Sequence, residues 1–169
     1  IKLGKDEATK VRIDTSIALN DFYNQNDELI STKVNEGGFV TIINGELGVE
    51  NERNTFSADM VITNVKENIP EEGDPYVTVR GAIFNFRNEL LPMSFSVTSP
   101  AGMDYFTGIE TPMYTAISGY IKNNRVEGKK LIESAFGGPI EVDDSRSFTS
   151  WEVDWAASNP YEFDEDSTE

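Results

Sequence analysis

The chain contains no cysteine and no histidine. Without thiols there is no disulfide framework, no thiolate metal site and no cysteine nucleophile. Without imidazole, histidine acid–base catalysis and the Ser-His-Asp and Cys-His arrangements are excluded. Carboxylates are what is left for an enzyme to use. Long apolar runs are missing as well: none approaches the roughly 20 residues of a membrane-spanning helix, and no segment reads as a secretory signal. The lack of thiols fits a cytoplasmic location. Positive charge is scarce, with 14 Lys and Arg against 30 Asp and Glu and a net charge of −16. On its face this opposes phosphate binding.

What is present points to strands. The 169 residues are enough for one domain with a real core, and 38% of them are hydrophobic. Glycines and prolines are spread along the chain, as many turns require. "TKVRI" (9–13) reads as a short strand, 14–27 shows no clear period, and "ELISTKV" (28–34) reads as a strand. "GFVTIINGELGVE" (38–50) reads as a hairpin turning at Asn44-Gly45. Further strands are expected at 55–69, 76–86, 91–99, 112–125 and 147–156, with helical turns in 100–110 and a long connection over 126–147. From residue 55 the order is three strands, a short helix, a strand, a long loop and a strand. That order predicts a mostly-β chain with an OB-fold-like five-stranded barrel; jelly-roll and sandwich arrangements share many of its signals. The expected organisation is an N-terminal β extension packed on the barrel (1–54), the OB-like domain (55–156) and an acidic flexible tail (157–169).

Alternation assigns faces, since successive strand residues point to opposite sides. Val77, Val79 and Ile83 share one side of their strand, while Tyr76, Arg80, Phe84 and Phe86 share the other. Leu91, Met93, Phe95 and Val97 face a core; Ser94, Ser96 and Thr98 do not. Met113, Ile117 and Ile121 oppose Tyr114, Ser118, Tyr120 and Lys122. In the last strand Trp151, Val153 and Trp155 fall on one side and are expected to close the core. The second face, with rings, small polar residues and a few cations, is what single-stranded nucleic acid needs: bases stack on the rings and cations follow the phosphates. Aromatic residues on strands also serve plain packing, here under residues 1–54 or against a sister subunit.

Charge is unevenly distributed. Ser118–Lys130 holds Lys122, Arg125, Lys129 and Lys130 against Glu127 alone. That basic window reads either as a rim for phosphates or as a solvated turn. The loop "ENIPEEGDP" (67–75) is acidic and unsuited to phosphate. Trp151–Glu169 holds seven of the acids and no base, so the rest of the chain carries only −9. Its end, "NPYEFDEDSTE", has no apolar period and reads as a flexible tail.

An OB-like domain with aromatic and basic strand faces, followed by "NPYEFDEDSTE", resembles the single-stranded DNA-binding proteins of bacterial and phage replication, more the phage type. The resemblance covers about the last two-thirds of the chain and rests on architecture rather than on a diagnostic motif. It implies non-catalytic, sequence-independent binding of single-stranded DNA in replication or recombination, in the host cell cytoplasm if phage-encoded. It also implies a tail that competes with DNA or recruits replication proteins. The expected stacking residues are Tyr76, Phe84, Phe86, Tyr114 and Tyr120, and the expected phosphate contacts are Arg80, Arg87, Lys122, Arg125, Lys129 and Lys130. The partner-binding tail would be Tyr161, Phe163, Asp164, Glu165 and Asp166. In bacterial members the aromatic residue sits at the tip; here Phe163 precedes the acids, a departure that bears on partner recruitment. No cofactor, metal or membrane is expected. Two other classes stay open: a structural or assembly β-domain using the aromatic face as a subunit interface, and a metal-dependent enzyme built on Glu141, Asp143 and Asp144.

Overall fold

A computed structural model of the chain describes residues 8–47, 54–71, 73–85, 87–134, 137–143 and 145–161. Five strands close into a barrel: β3 (Thr55–Asn68), β4 (Tyr76–Phe84), β5 (Leu90–Val97), β9 (Arg146–Ala156) and β6 (Met113–Val126), in that order around the wall. A single helix, α1 (Pro100–Thr107), lies between β5 and β6. This is the OB-like barrel that the element order predicts. Ser99 caps α1, its hydroxyl accepting from the Gly102 amide at 3.3 Å, and Pro100 takes the first turn, where its missing N–H costs nothing. The helix buries Phe106 against the barrel.

Four of the five strand contacts are antiparallel ladders. The fifth, β5 beside β9, is parallel and made by the single bridge Ser96–Glu152. Side chains close that seam instead. Phe56 from β3 stacks on Phe95 from β5 at 5.0 Å, and Trp151 from β9 meets both rings, at 5.3 and 6.4 Å. Each such pair contributes about 0.5–1.5 kcal/mol beyond burial.

Two bulges set which residues face inward. On β3 the register shifts between Ile62 and Asn64, so the inward set passes from Phe56, Met60 and Ile62 to Val65. On β9, Val153 lies opposite Gly119 while Trp155 lies opposite Ser118, leaving Asp154 as the extra residue. The alternation expected at the end of the chain breaks there. Trp151 and Val153 are buried, but Trp155 is 54% exposed and Ala156 turns towards the core in its place. Gly81 and Gly119 flank these bulges, where a neighbouring backbone passes so close that an added Cβ would stand 1.9 Å from the Val61 carbonyl oxygen or 1.8 Å from that of Glu152.

The N-terminal region differs from the expectation in its pairing. β1 (Val11–Tyr23) and β2 (Leu29–Ile42) form one long antiparallel hairpin that turns at 24–28, not at Asn44-Gly45. The turn is fixed by Asn24, whose side-chain oxygen accepts from the amides of Asn26 and Glu28 while its amide group donates to Glu28. Asn85 and Glu89 repeat this arrangement between β4 and β5. In both turns the fourth residue, Asp27 or Asn88, has φ near +60°, a conformation Asp and Asn tolerate. Ile17 and Leu19 pack on the barrel core, and Lys33 lies 5.2 Å from the Phe95 ring centre, its ammonium donating to the Ser94 carbonyl. Burial holds the Lys33 ammonium below the ordinary lysine range. The long connection expected at 126–147 holds a second hairpin, β7 (Lys129–Ser134) with β8 (Gly137–Asp143).

The bulge separates the two tryptophans energetically. Trp151→Ala is expected to cost about 3–5 kcal/mol in denaturant unfolding, whereas Trp155→Ala should cost under ~1 kcal/mol. Equal losses would show that both rings belong to the core.

Candidate nucleic-acid interface

The outward face of the barrel wall is assembled from the side-chain row that the core does not use. On β4, Tyr76, Thr78 and Ala82 are half-buried while Arg80 and Phe84 are exposed. On β6, Tyr114, Ala116, Ser118 and Tyr120 are half-buried. Phe84 and Tyr114 meet edge to face at 6.2 Å. A third ring joins them from the C-terminal segment: Tyr161 packs on Tyr114 at 4.6 Å, with its amide donating to the Tyr114 carbonyl at 2.8 Å. The Tyr161 hydroxyl donates to the Asp59 carboxylate at 3.2 Å. That hydrogen bond, and then the negative charge of Asp59, hold the phenol above its ordinary value. Phe86, Phe163, Asp164, Glu165 and Asp166 lie outside the described residues.

The cations fall into two groups. Along the arm formed by the later part of β6, the start of β9 and the β7–β8 hairpin they are matched by acids: Lys122 with Glu152 at 2.5 Å, Arg125 with Asp143 at 3.8 Å and Lys129 with Glu141 at 3.0 Å. Lys130, beside them on β7, has no ion-pair partner among the described residues. On the barrel wall Arg80 is exposed and likewise has no ion-pair partner among the described residues, and the same holds for Lys66. Lys66 pairs with Thr78 and Asn64 with Arg80, so the two cations are diagonal neighbours on the outward face, about 7–8 Å apart along the backbone. Lys66 was not among the sequence candidates. Its strand looks unbroken in sequence, and only the bulge near Thr63 fixes which way residues beyond it point. Arg87 sits on the turn between β4 and β5, where its amide donates to Asn85.

Tyr76, Phe84–Tyr114 and Tyr120 do not form one continuous patch. Tyr76 and Phe84 are eight residues apart on β4, roughly 26 Å at strand rise, with Arg80 midway. Tyr120 is six residues beyond Tyr114, roughly 20 Å away, and lines a cleft against the N-terminal hairpin. Phe148, 54% exposed on the arm, pairs with Asn124 on the same face as Lys122. Alternation from Trp151 would have placed it outward. The described part of 67–75 adds only Glu67, Glu71 and Asp74 as charges. Of the carboxylates considered for a metal, Asp143 is tied to Ser145 and Glu141 to Lys129, and Asp144 lies outside the described residues. Among the described residues no three acids converge to hold an ion.

Glu152 anchors the arm to the barrel. Its carboxylate accepts from Lys122 at 2.5 Å, Ser150 at 3.0 Å and Thr98 at 3.2 Å. Burial pushes its pKa up, but the Lys122 ammonium and these hydrogen bonds together outweigh that and hold it below the usual value of 4.5. The folded state therefore binds this proton more weakly than the unfolded chain. The stabilisation is complete above about pH 4.5 and is lost as pH falls below it. Glu152→Gln should lower stability near neutrality by roughly 1 kcal/mol and by less at pH 3, as read from urea unfolding at both pH values. A loss independent of pH would assign Glu152 a purely steric role.

No curated protein and no solved structure matches the chain. A family model does, over residues 1–165. On that match, which spans nearly its whole length, the chain belongs to the YorF family.

Proposed function

We propose that this protein binds single-stranded DNA, without sequence preference and without catalysis, on the outward face of its OB-like barrel. The observation that carries the reading is the packing of Tyr161 on Tyr114 beside Phe84, on the same outward face that carries Arg80 and Lys66 further along the strands, where neither has an ion-pair partner among the described residues. A ring already packs on Tyr114 at 4.6 Å, tilted by 42°, so this surface accepts an aromatic partner where a nucleobase would stack. Thr78, Ala82 and Ser94 between the rings leave low ground for bases, and Arg80 stands midway along β4 for phosphate. The matched cations Lys122, Arg125 and Lys129 contribute less, because phosphate must first displace their carboxylates. Phage replication or recombination is the setting that the family resemblance suggests.

The C-terminal segment then acts as a competitor. Tyr161 covers Tyr114, and the acids that follow it in sequence, Glu162 to Asp166, carry the charge of a phosphate mimic. Such competition weakens with salt. The same segment, freed by DNA, is available to replication proteins.

A second reading has one observation in its favour. Phe39 is 83% exposed, and Val40 and Ile42 are each 66% exposed, so an assembly role through the hairpin would bury them. Light scattering showing a large oligomer indifferent to DNA would support that role.

Fluorescence anisotropy with labelled oligo-dT decides between the two. Binding should fall steeply with salt. Phe84→Ala with Tyr114→Ala should weaken it at least tenfold, Arg80→Ala should reduce the salt slope by about one, and Tyr161→Ala should tighten it. No binding at low salt with micromolar protein would end the proposal.

A further inference from the structure

The N-terminal hairpin presents an unused strand edge to a cleft. β1 pairs with β2 on one side and, among the described residues, with no strand on the other. The cleft beside it has a volume of about 1060 Å³. Every residue from Val11 to Thr15 lines it. Residues of both parities line it, Val11 to Asp14 in regular register with β2 and Thr15 at the bulge that follows, so the cleft runs along the unpaired edge of β1. The opposite wall is the outside of the barrel, where Tyr120 supplies apolar surface beside Thr55, Ser57 and Ser118. Ile13 is 58% exposed, and its cross-strand partner Val40 is 66% exposed, so the apolar strip on the hairpin is also uncovered.

The charge of the cleft selects among occupants. Among the described residues its acids are Asp14, Glu46 and Asp154, and its base is Arg12. Arg12 is bound to Asp14 at 2.7 Å, and Glu46 pairs with Lys10 at 3.3 Å. Asp154, the extra residue of the β9 bulge, has no ion-pair partner among the described residues. A polyanion is repelled here, so the cleft and the DNA face proposed above are distinct. A second copy of this chain, at −16, is disfavoured for the same reason.

We infer that the cleft receives an extended, basic segment of a partner protein, which adds as a strand to the free edge of β1. Main-chain hydrogen bonds to Val11–Thr15 provide the affinity. Alternation provides the selectivity: apolar side chains of the segment lie between Ile13 and Tyr120, and its lysines or arginines reach Asp154 and the mouth of the cleft. Five β1 residues at ~3.3 Å each set the length of the paired segment at about five or six residues.

The test uses the full chain and a capped six-residue peptide alternating valine and lysine. A second peptide is identical but N-methylated along one edge, which removes donors without changing charge or apolarity. Amide shifts and hydrogen exchange are followed by NMR. The inference predicts saturable shifts confined to the cleft and at least tenfold slower exchange within Val11–Thr15. Methylation should weaken binding at least tenfold, and Asp154→Lys at least fivefold, while oligo-dT leaves the β1 amides unmoved. Equal binding of the two peptides would overturn the inference. So would protection of Val11–Thr15 that appears without peptide and grows with protein concentration, which would assign the edge to a second copy. Perturbation of these amides by oligo-dT would assign the cleft to nucleic acid instead, whatever the outcome at Phe84 and Tyr114.

Discussion

Closure of the barrel at the seam between β5 and β9 is the constraint on which the rest of the structure depends. A closed sheet normally satisfies its last pair of strands with a ladder; here the backbone provides the single bridge Ser96–Glu152. The rings of Phe56, Phe95 and Trp151 hold the seam from inside, and Glu152 holds it from outside through Lys122, Ser150 and Thr98. The hairpin reaches the same place with Lys33, over the Phe95 ring and bound to the Ser94 carbonyl. Packing thus replaces hydrogen bonds where the strand curvature denies them. The two bulges and the two glycines beside them are the other half of closure, because they let the wall turn sharply enough for its ends to meet.

The same geometry shapes the outer surface. Each bulge resets the inward phase, and in doing so it decides which charges and rings face solvent. The β3 bulge brings Lys66 onto the face that holds Arg80, and the β9 bulge sends Trp155 outward and leaves Asp154 beside the cleft. Net charge therefore says little about local chemistry in this protein. A chain at −16 carries on one part of its surface Lys66 and Arg80, without ion-pair partners among the described residues, on the face that holds Tyr76 and Phe84, and an acidic, strand-edged cleft on another. The two surfaces suit opposite kinds of ligand, so the DNA binding and the strand addition proposed above would not compete.

Strand positions and core faces were legible in the sequence because alternation is local. Val77, Val79 and Ile83, then Met93, Phe95 and Val97, fall inward as their spacing says. The failures lie where a non-local event overrides a local pattern. Asn44-Gly45 is a strong turn signal, yet the chain turns at Asn24, whose side chain organises two amides in a five-residue loop that a search for two-residue turns passes over. Trp155 matches Trp151 in spacing, but Asp154 shifts the phase between them. For the candidate site, the rings and Arg80 were legible. The matching of Lys122, Arg125 and Lys129 by acids was not, because Glu152, Asp143 and Glu141 reach them only through strand pairing.

The central claim is that DNA lies on the outward wall, across Phe84 and Tyr114, rather than along the basic window of the arm. Photo-crosslinking with iodouridine-substituted single strands, followed by peptide mapping, tests this most directly, because excited iodouridine joins to the aromatic ring it stacks on. The account predicts adducts at Phe84, Tyr114 and Tyr76, increasing when Tyr161 is replaced by alanine. Adducts confined to Phe148 and the arm, or a yield unchanged by the loss of Tyr161, would contradict it.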